Sequence, residues 1–200
     1  MLGEENQFIV DRKYVAEKET TFNLTYDKHL GTKFTISDEN DNPVYKYRYG
    51  VFAGENKIKD LEKNLLVSFQ LDKKTGDKKA KTMFIEFSEC KNQPFVTIED
   101  VLEERKLIIT VSYNVSGTET YLVIPDKEKA KIYIYKDSIN DENLVCHYKR
   151  SSSAVDKKKK CPLVIAPGVD TLFMTSLALS TFYYLDIFNL IRRRFLYKYY

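Results

Sequence analysis

The sequence has no tryptophan and is poor in glycine, proline and cysteine. Seven glycines and five prolines in 200 residues leave little material for long loops, so short connections are expected. The three cysteines, Cys90, Cys146 and Cys161, form no C-x-x-C pair and no disulfide-framework spacing, which favours a reducing compartment. The first residues also lack the basic and apolar runs of a secretory signal. We therefore expect a cytoplasmic protein.

An excess of charge of either sign is also lacking. Lysine and arginine number 32 against 29 aspartates and glutamates. This balance does not indicate a nucleic-acid-binding protein, and any basic surface must be local. A composition of 43% hydrophobic and 30% charged residues is typical of one compact domain.

Catalytic and metal-binding motifs are missing as well. The only histidines are His29 and His147, and no H-E-x-x-H, G-x-S-x-G, P-loop or G-x-G-x-x-G pattern occurs. Cys146 and His147 are neighbours in a predicted strand, so their side chains point to opposite faces and cannot form a nucleophile and base pair.

A calcium loop is the other motif to consider. "DENDNP" alternates Asp38, Asn40 and Asn42 like the first ligands of a calcium loop. Pro43 stands where such a loop needs glycine, and Tyr49 stands where it needs a bidentate glutamate. The segment is better explained as a hairpin turn, so no enzyme, cofactor or metal is predicted.

What is present is a strand pattern that runs from about residue 8 to residue 165. Apolar residues alternate with polar ones in block after block, which is the period of a half-buried β-strand. The blocks are "FNLTY", "KFTIS", "VYKYRY", "LLVSFQL", "KTMFIEF", "KLIITVSY" and "KIYIYK", with the shorter "FIV", "QPFVTI", "ETYLVI", "NLVCHY" and "CPLVI". Turn-forming clusters between the blocks favour antiparallel hairpins. "AGENKIKDLEKN" and "VTIEDVLEERK" fit either a helical turn or a long hairpin, and "SSSAVDKKKK" is typical of a flexible connector.

The stretch "PGVDTLFMTSLALSTFYYLDIFNLIRRR" predicts a helix that starts at Thr171. Asp170 is a good N-cap, because its carboxylate can accept the amide hydrogens of the first turn. Apolar residues follow on every side of the helix, so protein or lipid must enclose it. They include Leu172, Phe173, Met174, Leu177, Leu179, Phe182 and Leu185.

The surroundings of this helix are a membrane or a protein core. A membrane span needs about 20 apolar residues, whereas the uncharged run from Thr171 to Leu185 has 15 and a longer one includes Asp186. About a dozen antiparallel strands can instead close into a barrel and enclose a helix of ~23 Å. The core is the favoured prediction.

These features together resemble a known family. Many short strands, then "PGVD", then an apolar helix closed by an aspartate ("LALSTFYYLD") resemble the LURP-one-related proteins, which belong with the phospholipid scramblases and the tubby C-terminal domain. "FTISDENDNPVYKYRYG" is similar to the early hairpin of that family. The resemblance implies a mainly β fold, a closed antiparallel β-barrel of about 12 strands that encloses a hydrophobic C-terminal α-helix.

The predicted organisation is a single domain with two short ends. Residues 1–7 are expected to be a flexible N-terminus, and residues 8–191 a tubby C-terminal-like barrel domain whose central helix covers about residues 171–190. Residues 192–200, "RRRFLYKYY", form a basic and aromatic tail.

Basic clusters are the candidate functional residues. A hairpin loop carries Lys73, Lys74, Lys78, Lys79 and Lys81, and residues 157–160 form a second lysine cluster. Lys46 and Arg48 form an alternative site on the face of a predicted strand that is opposite to the face of Tyr45 and Tyr47. Each lysine near an anionic bilayer contributes about 1 kcal/mol to the free energy of membrane binding. Such residues can equally be the solvated surface of an ordinary barrel.

The resemblance supplies the functional prediction. Tubby domains bind phosphoinositide headgroups through basic residues, so the implied partner is an anionic phospholipid or phosphoinositide surface. We predict a monomeric, non-enzymatic intracellular binding or adaptor protein, peripheral at membranes, with protein partners and without nucleic acid. The alternative is a phospholipid scramblase-like membrane protein whose C-terminal helix inserts.

Overall fold

The computed structural model describes residues 10–27, 33–48, 55–71, 80–88, 95–101, 106–113, 117–126, 128–149 and 160–196. These residues form twelve strands and one α-helix, with two short 3-10 turns at Arg12–Tyr14 and Asp141–Asn143. The strands are β1 (Thr20–Asp27), β2 (Lys33–Ser37), β3 (Pro43–Arg48), β4 (Glu55–Lys59), β5 (Leu65–Leu71), β6 (Ala80–Phe87), β7 (Phe95–Val101), β8 (Lys106–Tyr113), β9 (Gly117–Asp126), β10 (Lys131–Lys136), β11 (Leu144–Lys149) and β12 (Cys161–Ile165), and the helix is α1 (Thr171–Leu196).

The strands form one closed antiparallel barrel. Each strand pairs with the next in sequence, and β12 pairs with β1 from Thr20↔Ile165 to Leu24↔Cys161, which completes the ring. The prediction of about a dozen antiparallel strands is therefore confirmed. Of the two segments that fit either a helical turn or a hairpin, the first contains β4 and the second contains all of β7 except Phe95.

The side chains alternate between the barrel interior and its outer surface. In β3, Tyr45 and Tyr47 are buried, whereas Lys46 and Arg48 are exposed. The inward-facing side chains of the strands form most of the apolar core, as the period-two pattern predicts.

One predicted alignment is wrong. In the block "LLVSFQL" the period of two predicts Leu65 on the same face as Val67 and Phe69, but 40% of Leu65 is exposed and Leu66 is buried instead. The register between β4 and β5 shifts between Ile58 and Lys59, and this irregularity turns the start of β5 by one residue.

The first three turns of α1 occupy the barrel interior. Every residue from Thr171 to Thr181 is buried. Phe173 contacts strand residues on two sides, with its ring centroid 6.2 Å from that of Phe87 and 5.8 Å from that of Tyr121. Leu172, Met174, Leu177 and Leu179 are also buried in the common core, Phe182 packs against it half-buried, and the side chain of Leu185 lies outside the described residues.

Hydrogen bonds satisfy most of the hydroxyl residues in the buried part of this helix, although the hydroxyl of Thr175 has no hydrogen-bond partner among the described residues. Ser176 Oγ donates to Leu172 O and Ser180 Oγ donates to Ser176 O, both at 2.7 Å. Thr181 Oγ1 lies 2.9 Å from the hydroxyl of Tyr148 on β11. Partners inside the protein thus satisfy polar groups that would oppose burial. Within the described residues, no helix combines the length and apolar character needed to cross a membrane.

The N-terminal segment closes one end of the barrel against the start of α1. Ala16 N donates to Val169 O at 3.0 Å, and Gly168 N donates back to Ala16 O at 2.7 Å. Asp170 caps the helix by accepting from Phe173 N at 2.9 Å, and its second oxygen accepts from Val10 N at 2.8 Å. Gly168 has a φ of +76°, a conformation that favours glycine in the "PGVD" turn.

The helix is longer than predicted. It ends at Leu196 rather than near residue 190, so residues 192–196 belong to it and not to a tail. No glycine or proline follows Gly168 in the sequence, and arginine and leucine are good helix formers, so the helix continues past Asn189. The predicted strand "FIV" is not formed at Val10, which lies in a bend, and its other two residues fall outside the described ranges.

Candidate functional site

Four basic side chains lie together on the outer surface of β3 and β4. We call Lys46, Arg48, Lys57 and Lys59 the basic face. Lys46 stands opposite Lys59, and Arg48 stands opposite Lys57. On the other side of β3, the backbone register also places Lys33 of β2 opposite Arg48. The sequences "YKYR" and "NKIK" produce this arrangement, because each alternates a basic residue with one that points inward.

The basic face concentrates like charge on two neighbouring strands. Directly opposite side chains on antiparallel strands lie about 4.5–5.5 Å apart, and like charges in such pairs destabilise the sheet. Lys46 and Arg48 are exposed, and Lys57 and Lys59 are half-buried. In the part of the chain that the structure describes, no ion pair involves Lys46, Arg48 or Lys59. An anion that bound here would remove the repulsion between them.

A buried polar network holds the strands beneath the basic face. The hydroxyl of Tyr47 donates to Asn56 Oδ1 at 3.0 Å, and Asn56 Nδ2 donates to Phe69 O at 3.3 Å. The ring of Tyr47 also stacks on that of Phe69, with centroids 5.9 Å apart. β3, β4 and β5 are thus linked inside the barrel, which fixes the spacing of the cations outside. Sequence reasoning missed Asn56. The available signal was its position two residues before Ile58, which places both side chains on the inward face of β4.

The segment that joins β2 to β3 is a hairpin turn, as predicted. Asp38 Oδ1 accepts from Asn40 N at 2.9 Å and from Asn42 N at 2.8 Å, and its other oxygen accepts from Asn42 Nδ2 at 3.0 Å. These hydrogen bonds, with that from the Asn42 side chain foremost, lower the pKa of Asp38. The carboxylate is occupied by its own turn, and no cluster of metal-ligating side chains occurs among the described residues.

The predicted lysine loop is not joined to the basic face by any described contact. Lys73, Lys74, Lys78 and Lys79 fall outside the described residues, as do residues 157–159 of the second cluster. Lys81 belongs to β6, three strands from β3 round the barrel. Lys160 forms an ion pair with Asp41 of the β2–β3 turn. The structure therefore groups Lys46 and Arg48 with Lys57 and Lys59, which the sequence had not singled out.

Two further polar groups lie apart from this face. Glu119 is buried on β9, where it accepts from the hydroxyl of Tyr121 at 2.8 Å and pairs with Lys136 Nζ at 2.6 Å. Cys146 is buried, and burial raises the pKa of its thiol, whereas His147 lies half-buried on the outer surface. The predicted separation of Cys146 from His147 is confirmed.

Comparison with known proteins identifies the family. The sequence profile described as LURP-one-related matches residues 20–180, from β1 into α1. The chain belongs to the LURP-one-related family. A crystal structure of an Arabidopsis thaliana protein resembles this LURP-one-related chain with a TM-score of 0.61 and 19% sequence identity, covering 90% of this chain and 98% of the other. That likeness shows a shared fold. No curated protein matches the chain.

Proposed function

We propose that this chain is a non-enzymatic binding module that attaches to anionic phospholipid surfaces through its basic face. The observation that carries the proposal is the cross-strand register, which sets Lys46 against Lys59 and Arg48 against Lys57 on one outward surface. Like charges held in such pairs favour a ligand with several negative charges. A bilayer offers phosphates at a planar surface, and the guanidinium of Arg48 can bind phosphate oxygens in bidentate fashion.

The expected affinity is modest. At about 1 kcal/mol for each basic residue near an anionic membrane, Lys46, Arg48 and Lys59 supply about 3 kcal/mol, which corresponds to a Kd of several mM. Reversible association follows, and further basic segments would strengthen it. The sequence candidates are Lys73, Lys74, Lys78, Lys79 and Lys81.

We also propose that the barrel is of the tubby C-terminal type and that phosphoinositides are the preferred headgroups. A twelve-stranded barrel that surrounds the start of a C-terminal helix supports this relation. The scramblase-like alternative rests on an inserted helix. Burial of Thr171 to Thr181 among strand residues already accounts for the apolar character of that segment without lipid.

The test is vesicle flotation in low salt with phosphatidylcholine vesicles that contain or lack a phosphoinositide. Lys46→Glu/Arg48→Glu should reduce recovery on the phosphoinositide vesicles about thirtyfold or more, because two contributions of about 1 kcal/mol are removed and reversed. Lys131→Glu/Lys149→Glu is the matched control, since these lysines also stand opposite each other in register, on β10 and β11. Its recovery should equal that of the wild type.

Three results would contradict the proposal. They are equal recovery of the wild type on neutral vesicles, absence of recovery on either vesicle, and equal losses in the two double variants. The last result would mean that net charge, rather than the basic face, determines binding.

A further inference from the structure

The outer surface of β8 to β11 carries a continuous set of half-buried apolar and aromatic side chains. We call it the apolar face, and it consists of Ile108, Leu122, Ile124, Tyr133, Tyr135 and His147. These side chains form two neighbouring rows across the strands. One row runs from Ile108 through Leu122 to Tyr135, and the other from Ile124 through Tyr133 to His147.

This face is not part of the barrel core. On the same strands, the alternate residues Ile109, Val123, Ile134 and Tyr148 point inward and are 2% exposed or less. When one face of a strand meets water, the strand needs apolar residues only on the opposite face. Contiguous apolar side chains on the outer surface of a barrel are a feature of sites that another molecule covers.

The aromatic side chains of the apolar face are ordered against each other. The Tyr133 ring stacks on His147 with centroids 5.9 Å apart and an interplanar angle of 4°. It also stacks on Tyr135 at 6.4 Å. Desolvation, followed by the charge of Lys131, lowers the pKa of His147 and so favours its uncharged ring. Preordered aromatic side chains lose little conformational entropy when a partner binds.

The borders of the apolar face are polar and carry charges of both signs, with Glu99 opposite Ile108 at the end of one row and the charge of Glu19 acting on His147 in the other. Thr97, Thr110 and Thr120 form a row beside Ile108 and Leu122. At the end nearest Tyr133 and His147, Lys131 stands opposite Lys149. Asp126 lies beside Lys131 in register, but it already pairs with Lys129 at 3.5 Å. An apolar centre with a polar rim is the usual arrangement of a protein interface, and the lysines select for carboxylates on the partner.

The position of the apolar face argues against a bilayer as its occupant. In the ring of twelve strands, β9 lies six strands from β3 in either direction, so the apolar face and the basic face point away from each other. A planar membrane that contacts one cannot contact the other. This step rests on the proposed function, which assigns the membrane to the basic face.

We propose that the apolar face is a docking site for a partner polypeptide that presents apolar side chains edged by aspartate or glutamate. The partner would pack over the rows of Leu122 and Ile124, and its carboxylates would reach Lys131 and Lys149. A barrel that binds a membrane on one side and a protein on the other brings that protein to the membrane surface.

The experiment selects a displayed library of random peptides on the full chain, with counter-selection on Leu122→Thr/Ile124→Thr. Threonine keeps the strand propensity but removes apolar area. Enriched peptides should combine apolar residues with aspartate or glutamate. Synthetic copies should bind the wild type and bind Leu122→Thr/Ile124→Thr about tenfold more weakly or worse, as expected for the centre of an interface. Thermal unfolding verifies that each variant is folded.

Two charge variants separate the apolar face from the basic face. Lys131→Glu/Lys149→Glu leaves the apolar rows intact and should also weaken the acidic peptides, while Lys46→Glu/Arg48→Glu should leave their binding unchanged. The pattern is the reverse of that expected with vesicles. If the wild type binds the peptides but does not bind the vesicles, the membrane function is refuted and this site remains supported.

Several outcomes would overturn the docking site. These include a selection that enriches no peptide over the counter-selection, peptides dominated by lysine or arginine, and binding that neither Leu122→Thr/Ile124→Thr nor Lys131→Glu/Lys149→Glu weakens. A dimer in sedimentation that Leu122→Thr/Ile124→Thr dissociates would assign the face to a second copy. Loss of vesicle recovery in that variant would assign it to the membrane.

Discussion

Asp170 links the start of α1 to the N-terminal segment, and replacing it by alanine should destabilise the protein strongly. Its Oδ1 caps α1 at Phe173 N, and its Oδ2 accepts from Val10 N in the segment that closes the barrel end. Loss of an N-cap costs about 0.5–2 kcal/mol, and a buried donor left without a partner costs about 1–3 kcal/mol. Alanine also removes the desolvation cost of the buried carboxylate, which offsets part of this loss, so we expect the free energy of unfolding to fall by about 2–3 kcal/mol in total.

The assay is equilibrium unfolding in urea, followed by circular dichroism. A loss of about 2–3 kcal/mol is a large part of a typical stability of 5–15 kcal/mol and lowers the urea midpoint by about 1–2 M. The slope of the transition should stay the same, because the surface exposed on unfolding does not change.

The matched control is Asp60→Ala, in an exposed turn. Asp60 uses both carboxylate oxygens in the same way, accepting from Asn64 N and from Asn64 Nδ2, each at 2.8 Å. Water can replace these bonds, so the loss should be clearly smaller. Equal losses for Asp60→Ala and Asp170→Ala would refute the reasoning, since burial would then contribute nothing to the role of Asp170.

Three further results are expected from unfolding measurements. Burial raises the pKa of Asp170 above its ordinary value of 3.8, so its stabilising effect is present below that pH and is lost as the pH rises through the folded-state pKa. The stability of the wild type relative to that of Asp170→Asn should therefore fall as the pH rises over this range, and a rise would contradict the assignment. Phe173→Ala should cost about 3–5 kcal/mol, and clearly more than Phe182→Ala, because Phe173 is fully buried and Phe182 only half-buried. Gly168→Ala should cost about 1–2 kcal/mol from backbone strain alone, since nothing lies within 4 Å of the added carbon; an unchanged urea midpoint would show that the turn relaxes.

Sequence reasoning predicted the local elements well because each has a local cause. Strands such as "VYKYRY" and "KIYIYK" follow from the alternation of apolar and polar residues, since a strand turns successive side chains to opposite faces. The start of α1 follows from Asp170, whose short carboxylate suits an N-cap. The end of α1 was placed too early, because neither glycine nor proline follows Asp186 and the leucine and arginine residues beyond it favour continuation of the helix to Leu196.

The sequence by itself also determined which residues are polar on each strand, and so it identified Lys46 and Arg48. It could not determine which strand positions stand side by side, because pairing depends on turn geometry and on irregularities such as the one beside Lys59. Tertiary structure alone therefore joined Lys57 and Lys59 to the basic face, exposed Leu65, and aligned the rows of Leu122 and Ile124. Closure of the barrel then set the two faces on opposite sides, since a ring fixes the direction of every strand relative to all the others.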